Sequence, residues 1–484
     1  MAELTNKERM RIPRQDMPVQ DAAARRANFD EVALGLETEA ARLEAERCLQ
    51  CSRPRCVEGC PVDVDIPGFI EAVRTGNLSE AVRIMKTRNS LPAICGRVCP
   101  QETQCEQLCI LGKKGEPVAI GRLERIVGDW ELRERTQALE KAPSTGKRVA
   151  VVGSGPAGLV CAVDVARQGH DVTLLESLHL PGGVLTYGIP EFRLPKSVVM
   201  GEINHAIENL GIRLCVDHVI GRIATLAELL DEYDAVFLGT GAGLPSFMDI
   251  PGVNLNGVMS ANEFLSRVNL MRGYDFPQYD TPVKIGERVV VIGAGNVAMD
   301  AARCSIRLQE LHGNGRGEVH IVYRRSREEV PARAEEVDHA EEEGVIFDFL
   351  TNPVEIMGDE AGKVTGMRCI RMQLGEPDDS GRRRPVPVEG SEFDLPVDTV
   401  IFALGTSPNP LVFVEAESLS RSRWGTVIAD EETGRTTTAR VWAGGDVVTG
   451  AATVVSAMGA GRRAAADIHA FLAGELEPWS DSET

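Results

Sequence analysis

Two stretches of this chain, Arg148-Val-Ala-Val-Val-Gly153 and Arg288-Val-Val-Val-Ile-Gly293, match in character and lie 140 residues apart. Each is a short apolar run stopping at a glycine, the pattern of a buried parallel strand entering a tight turn. The first continues as Gly153-Ser-Gly155-Pro156-Ala157-Gly158, the second as Gly293-Ala-Gly295-Asn296-Val297-Ala298. Glycines at this spacing permit a tight turn, close approach of backbone to a pyrophosphate, and close packing of the helix that follows. A repeated βαβ unit of this kind implies two dinucleotide-binding domains. A second matched pair, Asp234-Ala-Val-Phe-Leu-Gly-Thr240-Gly241 and Asp398-Thr-Val-Ile-Phe-Ala-Leu-Gly405, gives each domain a further strand and glycine turn.

The next strands tell the two sites apart. Asp171-Val-Thr-Leu-Leu-Glu176 ends on an acid, which accepts hydrogen bonds from ribose hydroxyls. In Val319-His-Ile-Val-Tyr-Arg324 an arginine takes that slot, followed by Arg325 and Arg327. Trading an acid for arginines favours a 2′-phosphate, so the second domain is expected to take NADPH and the first FAD. Near the C-terminus, Val441-Trp-Ala-Gly-Gly445-Asp446 delivers an aspartate at a glycine turn, suited to the ribityl or phosphate groups of a flavin. The following helix, from about Thr453, would aim its positive end at the flavin's carbonyl edge.

Of 12 cysteines, eight fall between Cys48 and Cys109. Their spacing is Cys48-x2-Cys51-x4-Cys56-x3-Cys60-Pro, then Cys95-x3-Cys99-Pro, then Cys105-x3-Cys109. Structural zinc usually takes two separated CxxC pairs, whereas compact runs ending in Cys-Pro are of the iron–sulfur kind. Eight cysteines suffice for two [4Fe–4S] clusters, with structural zinc as the alternative. The other four, Cys161, Cys215, Cys304 and Cys369, are isolated, so no dithiol stands in the dinucleotide segments to take electrons from a flavin. The clusters are the remaining exit.

The net charge of −20 argues against nucleic acid or an anionic membrane as partner. No apolar run is long enough to span a bilayer, and the polar N-terminus lacks a signal-peptide core, so the expected location is the cytoplasm. The expected fold class is α/β: an α-helical iron–sulfur domain over residues 1–145, then a flavin domain over 146–280 and 406–484 interrupted by an NADPH domain over 281–405. A helix is expected within Leu34–Gln50, and Ser79 is expected to cap another. The first 30 residues and Gly474–Thr484 read as polar tails.

Cys48-Leu-Gln-Cys51, Gly96-Arg-Val-Cys-Pro100, Gly182-Gly-Val-Leu-Thr-Tyr-Gly-Ile-Pro-Glu-Phe-Arg-Leu-Pro-Lys196 and Tyr323-Arg-Arg-Ser-Arg327 carry a family resemblance over about residues 30–475. The chain resembles the small (beta) subunit of NADPH-dependent glutamate synthase. It also resembles the large subunit of NADH-dependent reduced ferredoxin:NADP oxidoreductase and the N-terminal half of dihydropyrimidine dehydrogenase. Cys60-Pro-Val, Ile66-Pro-Gly-Phe and Arg97-Val-Cys-Pro-Gln-Glu look closer to the ferredoxin:NADP branch.

The resemblance implies that Cys48, Cys51, Cys56 and Cys109 hold one cluster. Cys60, Cys99, Cys105 and Glu124 would hold the other, leaving Cys95 a spectator, against the plain count of eight cysteine ligands. It implies that Gly182, Gly183 and Leu185 line the FAD, with Arg193 either near the flavin ring or in a packing role. It further implies an electron-transfer subunit moving electrons between NADPH, FAD and clusters, the hydride chemistry belonging to the cofactors and no side chain being an obligatory catalyst. The partner would be a larger FMN-containing synthase subunit, or a small flavin and [2Fe–2S] subunit in a bifurcating enzyme that also uses ferredoxin. The chain has no amidotransferase domain and no room for a synthase barrel, so it is not expected to make glutamate alone.

Overall fold

In the computed structural model, which describes residues 4–135, 139–312, 317–377, 383–477 and 479, both fingerprint strands sit at the centre of five-stranded sheets. The first sheet runs Val441–Ala443, Ala235–Leu238, Arg148–Val152, Asp171–Leu175, Arg213–Cys215, every neighbour parallel. The second runs Val258–Ser260, Thr399–Phe402, Arg288–Ile292, Glu318–Tyr323, Ile346–Phe349, again all parallel. In both central strands every residue after the leading arginine is buried, which is why they read as unbroken apolar runs rather than alternating ones.

The second domain starts earlier than residue 281. Its edge strand, Val258–Ser260, precedes the fingerprint instead of following it, as the equivalent Val441–Ala443 does in the first sheet. The two crossings between the domains lie side by side as an antiparallel pair, Leu244–Pro245 with Thr406–Ser407. A three-residue strand leaves too short an apolar run to be found by periodicity. Thr351–Gly358, Val364–Pro377, Arg383–Pro387 and Phe393–Leu395 form an additional antiparallel sheet on the second domain.

The cysteine-rich segment is helical, including Thr38–Glu46, Ile66–Arg74, Leu78–Lys86, Pro92–Val98 and Ile120–Glu134. The expected cap at Ser79 belongs to Asn77, whose side-chain oxygen accepts from the Glu80 amide at 3.2 Å. Asn and Ser are comparably good N-caps, and here the earlier one adds a residue to the apolar face.

Nor are the first thirty residues a tail. Arg9 donates to the carbonyls of Glu46 and Cys48, Arg14 pairs with Glu106 at 2.7 Å, and Arg25 is buried against Glu343. Phe29 stacks on Tyr274 with ring centroids 4.5 Å apart. Charge made the segment look solvated, but the guanidiniums find partners on distant elements. At the other end, Trp479 packs edge-on to Trp442 and donates to the Thr436 carbonyl at 3.0 Å; residues 478 and 480–484 lie outside the described residues.

The 19-residue helix Val454–Leu472 joins the flavin domain to the cysteine-rich domain. A Cβ at Gly461 would stand 2.1 Å from the Ala157 carbonyl oxygen, and one at Gly459 would stand 2.6 Å from that of Pro61. Both neighbours are backbone and cannot swing aside. Gly461→Ala is therefore expected to destabilise the protein by about 1–3 kcal/mol through overpacking, measured as a lowered Tm, and to weaken FAD retention because Ala157 lies in the first glycine turn.

Candidate dinucleotide and iron–sulfur sites

The two glycine turns share one geometry. Gly153 and Gly293 have φ of +94° and +124°, a region favouring glycine, while the middle glycines Gly155 and Gly295 face open space where a pyrophosphate could approach. At the third position a Cβ on Gly158 would stand 1.8 Å from the Gly153 carbonyl oxygen, and the second turn places Ala298 there. The turns lead into the helices Pro156–Arg167 and Asn296–Leu311, whose free amides provide the anion-binding end.

Around the first turn the structure gathers most of the residues singled out from sequence. A Cβ at Gly153 would meet the Gly239 carbonyl and the Cα of Thr240, and one at Gly445 would meet Ala157, so Thr240–Gly241 and Gly445–Asp446 border the turn from two sides. Gly183 lies against the Cα of Gly155. Ser154, absent from the sequence reading, ties the site together. Its hydroxyl accepts from the Gly182 amide at 2.9 Å and donates to Glu176, which also accepts from the Ser154 and Leu178 amides. Leu185 is fully buried behind this loop. Burial pushes the Asp446 carboxyl up to about 6, and its oxygen accepts from the Ala452 amide just before the helix whose N-cap is Thr453.

In the second site Arg324 immediately follows its strand, as Glu176 does in the first. It is exposed and free of hydrogen bonds and ion pairs to the described residues. Arg325 donates to the Arg383 carbonyl, and Arg327 is paired with Glu341, so of the three expected phosphate partners Arg324 is the one left available. Gly405 borders the turn through Ala403, whose carbonyl faces Gly293. Asn296 accepts from the Arg333 amide at 3.0 Å.

Arg193 has partners suited to the second of its two expected roles, packing. Its guanidinium donates to both carboxylate oxygens of Asp300 at 2.7 Å and pairs with Glu336 at 3.2 Å, both on the second dinucleotide domain.

None of the 12 cysteines is disulfide-bonded. Cys48, Cys51, Cys56 and Cys109 surround a cavity of about 290 Å³ otherwise walled mainly by apolar side chains, including Leu49, Leu108, Ile110 and Leu111. Burial and neighbouring thiols push Cys48 to about 11 and Cys56 to about 12. Among the described residues no three His, Cys, Asp or Glu side chains converge tightly enough for a single metal ion, so the thiols ring a space rather than meet at a point.

A second group forms from Cys60, Cys99, Cys105 and Glu124, whose charges act on one another. Packing around Glu124 pushes its carboxyl up to about 8, while Asn89, also unread in the sequence, donates to it at 2.7 Å. Cys95 adjoins this group, sharing a side-chain hydrogen bond with Cys99 and the field of Cys60 and Glu124, and its sulfur also lies 3.5 Å from that of Met458 and 3.7 Å from the Asn89 side-chain oxygen. Both groups fit an iron–sulfur centre: the first offers four thiols and the second three thiols with one harder carboxyl, groups that a bound cation converts to anionic ligands.

Residues 25–136 match the family described as dihydropyrimidine dehydrogenase domain II, 4Fe-4S cluster, and residues 147–461 match the pyridine nucleotide-disulphide oxidoreductase family. The chain is 38% identical over 466 residues to the glutamate synthase (NADPH) small chain of Halomonas elongata, covering 95% of this chain and 97% of that one. This chain belongs to the glutamate synthase small-subunit family. The Escherichia coli small chain is 36% identical, with 95% and 98% covered. The beta subunit of NADP-dependent formate dehydrogenase from Moorella thermoacetica is 40% identical, but the chain spans 61% of its length. FprA from Mycobacterium tuberculosis, 21% identical, shares the fold of the dinucleotide domains with a TM-score of 0.58, covering 70% of this chain and 88% of that one.

As a member of this family the protein is an NADPH-linked flavin and iron–sulfur oxidoreductase carrying FAD and a 4Fe-4S domain. The described residues contain no helix long and apolar enough to cross a membrane. A charge-assisted hydrogen bond to a phosphate contributes about 1.5–3 kcal/mol. Arg324→Ala is accordingly expected to weaken NADPH roughly 10- to 150-fold while leaving NADH nearly unchanged, checked by the KM for each coenzyme; equal losses would assign Arg324 to structure.

Proposed function

We propose that the protein is the electron-delivering subunit of a glutamate synthase-type complex, taking electrons from NADPH and passing them through two [4Fe–4S] clusters to a larger FMN-containing partner subunit. Similarity to glutamate synthase small chains over 95% of this chain is the observation that carries this reading.

Bound FAD and NADPH supply hydride transfer and the clusters one-electron transfer, so the side chains bind, orient and shield. In the flavin site Glu176 would accept from the adenosine ribose, the amides following Gly155 would take the pyrophosphate, and Asp446 with the helix end at Thr453 would take the ribityl and ring side. In the nicotinamide site Gly295, Asn296 and Val297 would take the pyrophosphate and Arg324 the 2′-phosphate. Cys48, Cys51, Cys56 and Cys109 would hold the outer cluster; Cys60, Cys99, Cys105 and Glu124 would hold the inner one. The helix from Thr453 reaches Cys95 through Met458 and Pro61 through Gly459, which brings the flavin turn and the inner ligand group onto one rigid element.

Iron content and electron paramagnetic resonance test the ligand set. The holoprotein is expected to bind one FAD and about eight irons. Cys95→Ala keeps all of the iron, whereas Glu124→Ala loses or spectrally shifts one cluster and spares the other. Loss of about half of the iron in Cys95→Ala with none lost in Glu124→Ala would restore the count of eight cysteine ligands. Co-purification of the native protein tests the partner: a small flavin and [2Fe–2S] subunit in place of a large synthase would overturn the glutamate synthase assignment.

A further inference from the structure

The loop that leaves the first glycine turn ends inside the second dinucleotide domain. It starts at Gly182, hydrogen-bonded to Ser154, and its path is fixed by Lys196, whose ammonium donates to the carbonyls of Leu185, Ile189 and Leu194 at 3.0, 2.6 and 2.8 Å. At its far end the Phe192 ring faces the Arg303 and Arg307 guanidiniums, 4.7 and 3.8 Å from its centroid. Arg193 grips Asp300, little more than one turn into the helix that begins at the second glycine turn. The side chains of Arg193 and Asp300 keep only 7% and 4% of their exposure.

Two further arginines hold the same domain from other directions. Arg333, whose amide is bonded to Asn296, donates to the Arg97 carbonyl at 3.0 Å and to the Gln101 side chain at 3.2 Å, both in the cysteine-rich domain. Arg25, on the N-terminal segment, pairs at 2.7 Å with Glu343, which Arg303 and Arg307 also hold. Anchors from the flavin domain, the cysteine-rich domain and the N-terminal segment thus hold the second dinucleotide domain in addition to the antiparallel crossing at Leu244–Pro245 and Thr406–Ser407.

We infer that Arg193, Arg25 and Arg333 are positioning residues that lock the nicotinamide domain against the flavin domain, so that coenzyme bound at one glycine turn is presented to the other without a domain swing. The inference rests on the assignment of the two turns to FAD and NADPH. Hydride transfer is steep in distance and angle, and a displacement of about 1 Å can cost roughly 100-fold in rate. A loosened anchor should accordingly slow the transfer while each coenzyme still binds its own intact turn.

The test compares holoprotein with the Arg193→Ala, Arg193→Lys and Arg25→Ala variants. Arg25→Ala leaves Glu343 held by Arg303 and Arg307, so it keeps the proposal testable if Arg193→Ala fails to fold. FAD content and NADP+ affinity, measured by titration of the oxidised protein, are expected to stay within about twofold. Single-turnover bleaching of the flavin by NADPH is expected to slow roughly 10- to 100-fold, with partial recovery in Arg193→Lys. Amide exchange over Asn296–Leu311 should quicken, and reoxidation of the photoreduced protein by ferricyanide should not change. An unaltered bleaching rate in Arg25→Ala and in every folded Arg193 variant would overturn the lock. A wild-type protein that binds FAD and is not bleached by NADPH would overturn the coenzyme assignment instead.

Discussion

The helix Val454–Leu472 ties the first glycine turn to the cysteine-rich domain, and its place depends on how closely it can approach two other backbones. Gly461 brings it against the carbonyl of Ala157 in the first glycine turn, and Gly459 brings it against Pro61, beside Cys60. Any side chain at either position would push the helix out by the width of a methyl group, at a site where the neighbours are backbone. The same helix end carries the Thr453 cap, and Met458 meets Cys95. A single pair of glycines thus sets the spacing between the first glycine turn and the inner ligand group.

The interior carries charge in unusual amounts, arranged in two different ways. Between the dinucleotide domains it is compensated: Glu336 and Glu343, whose carboxyls burial alone would raise, are held well below the usual carboxylate range by arginines. Breaking one partner of such an array costs far more than the array contributes, so it specifies one domain orientation more than it adds stability. Around the cysteines the charge is uncompensated by protein. Thiols and the Glu124 carboxyl are pushed toward their neutral forms, which suits a site whose balance comes from a bound cation.

These two arrangements explain why residues of similar appearance ended in different roles. Arg324 and Arg193 both stand near a coenzyme motif. Arg324 ends a parallel strand and projects beyond the sheet, whereas Arg193 lies on a loop that dives between domains and meets Asp300. Cys95 and Cys99 both lie in the second cysteine run and share a side-chain hydrogen bond, but Cys95, inside the helix Pro92–Val98, also touches Met458, while Cys99, just past its end, also feels Cys60 and Cys105.

The sequence by itself determined the two dinucleotide folds and their order, together with the iron–sulfur character of the N-terminal domain. Those properties rest on short-range rules: a strand stopping at a glycine, thiols a few residues apart. Only the tertiary structure decided where the second domain begins, because its edge strand is three residues long and is recruited from before the fingerprint. The same holds for the charged N-terminal segment, whose arginines are buried by partners such as Glu343, over three hundred residues away in the chain. Ser154, Asn89 and Gly461 carried no local signal for the same reason. What each does is fixed by an atom that the chain brings to it only on folding.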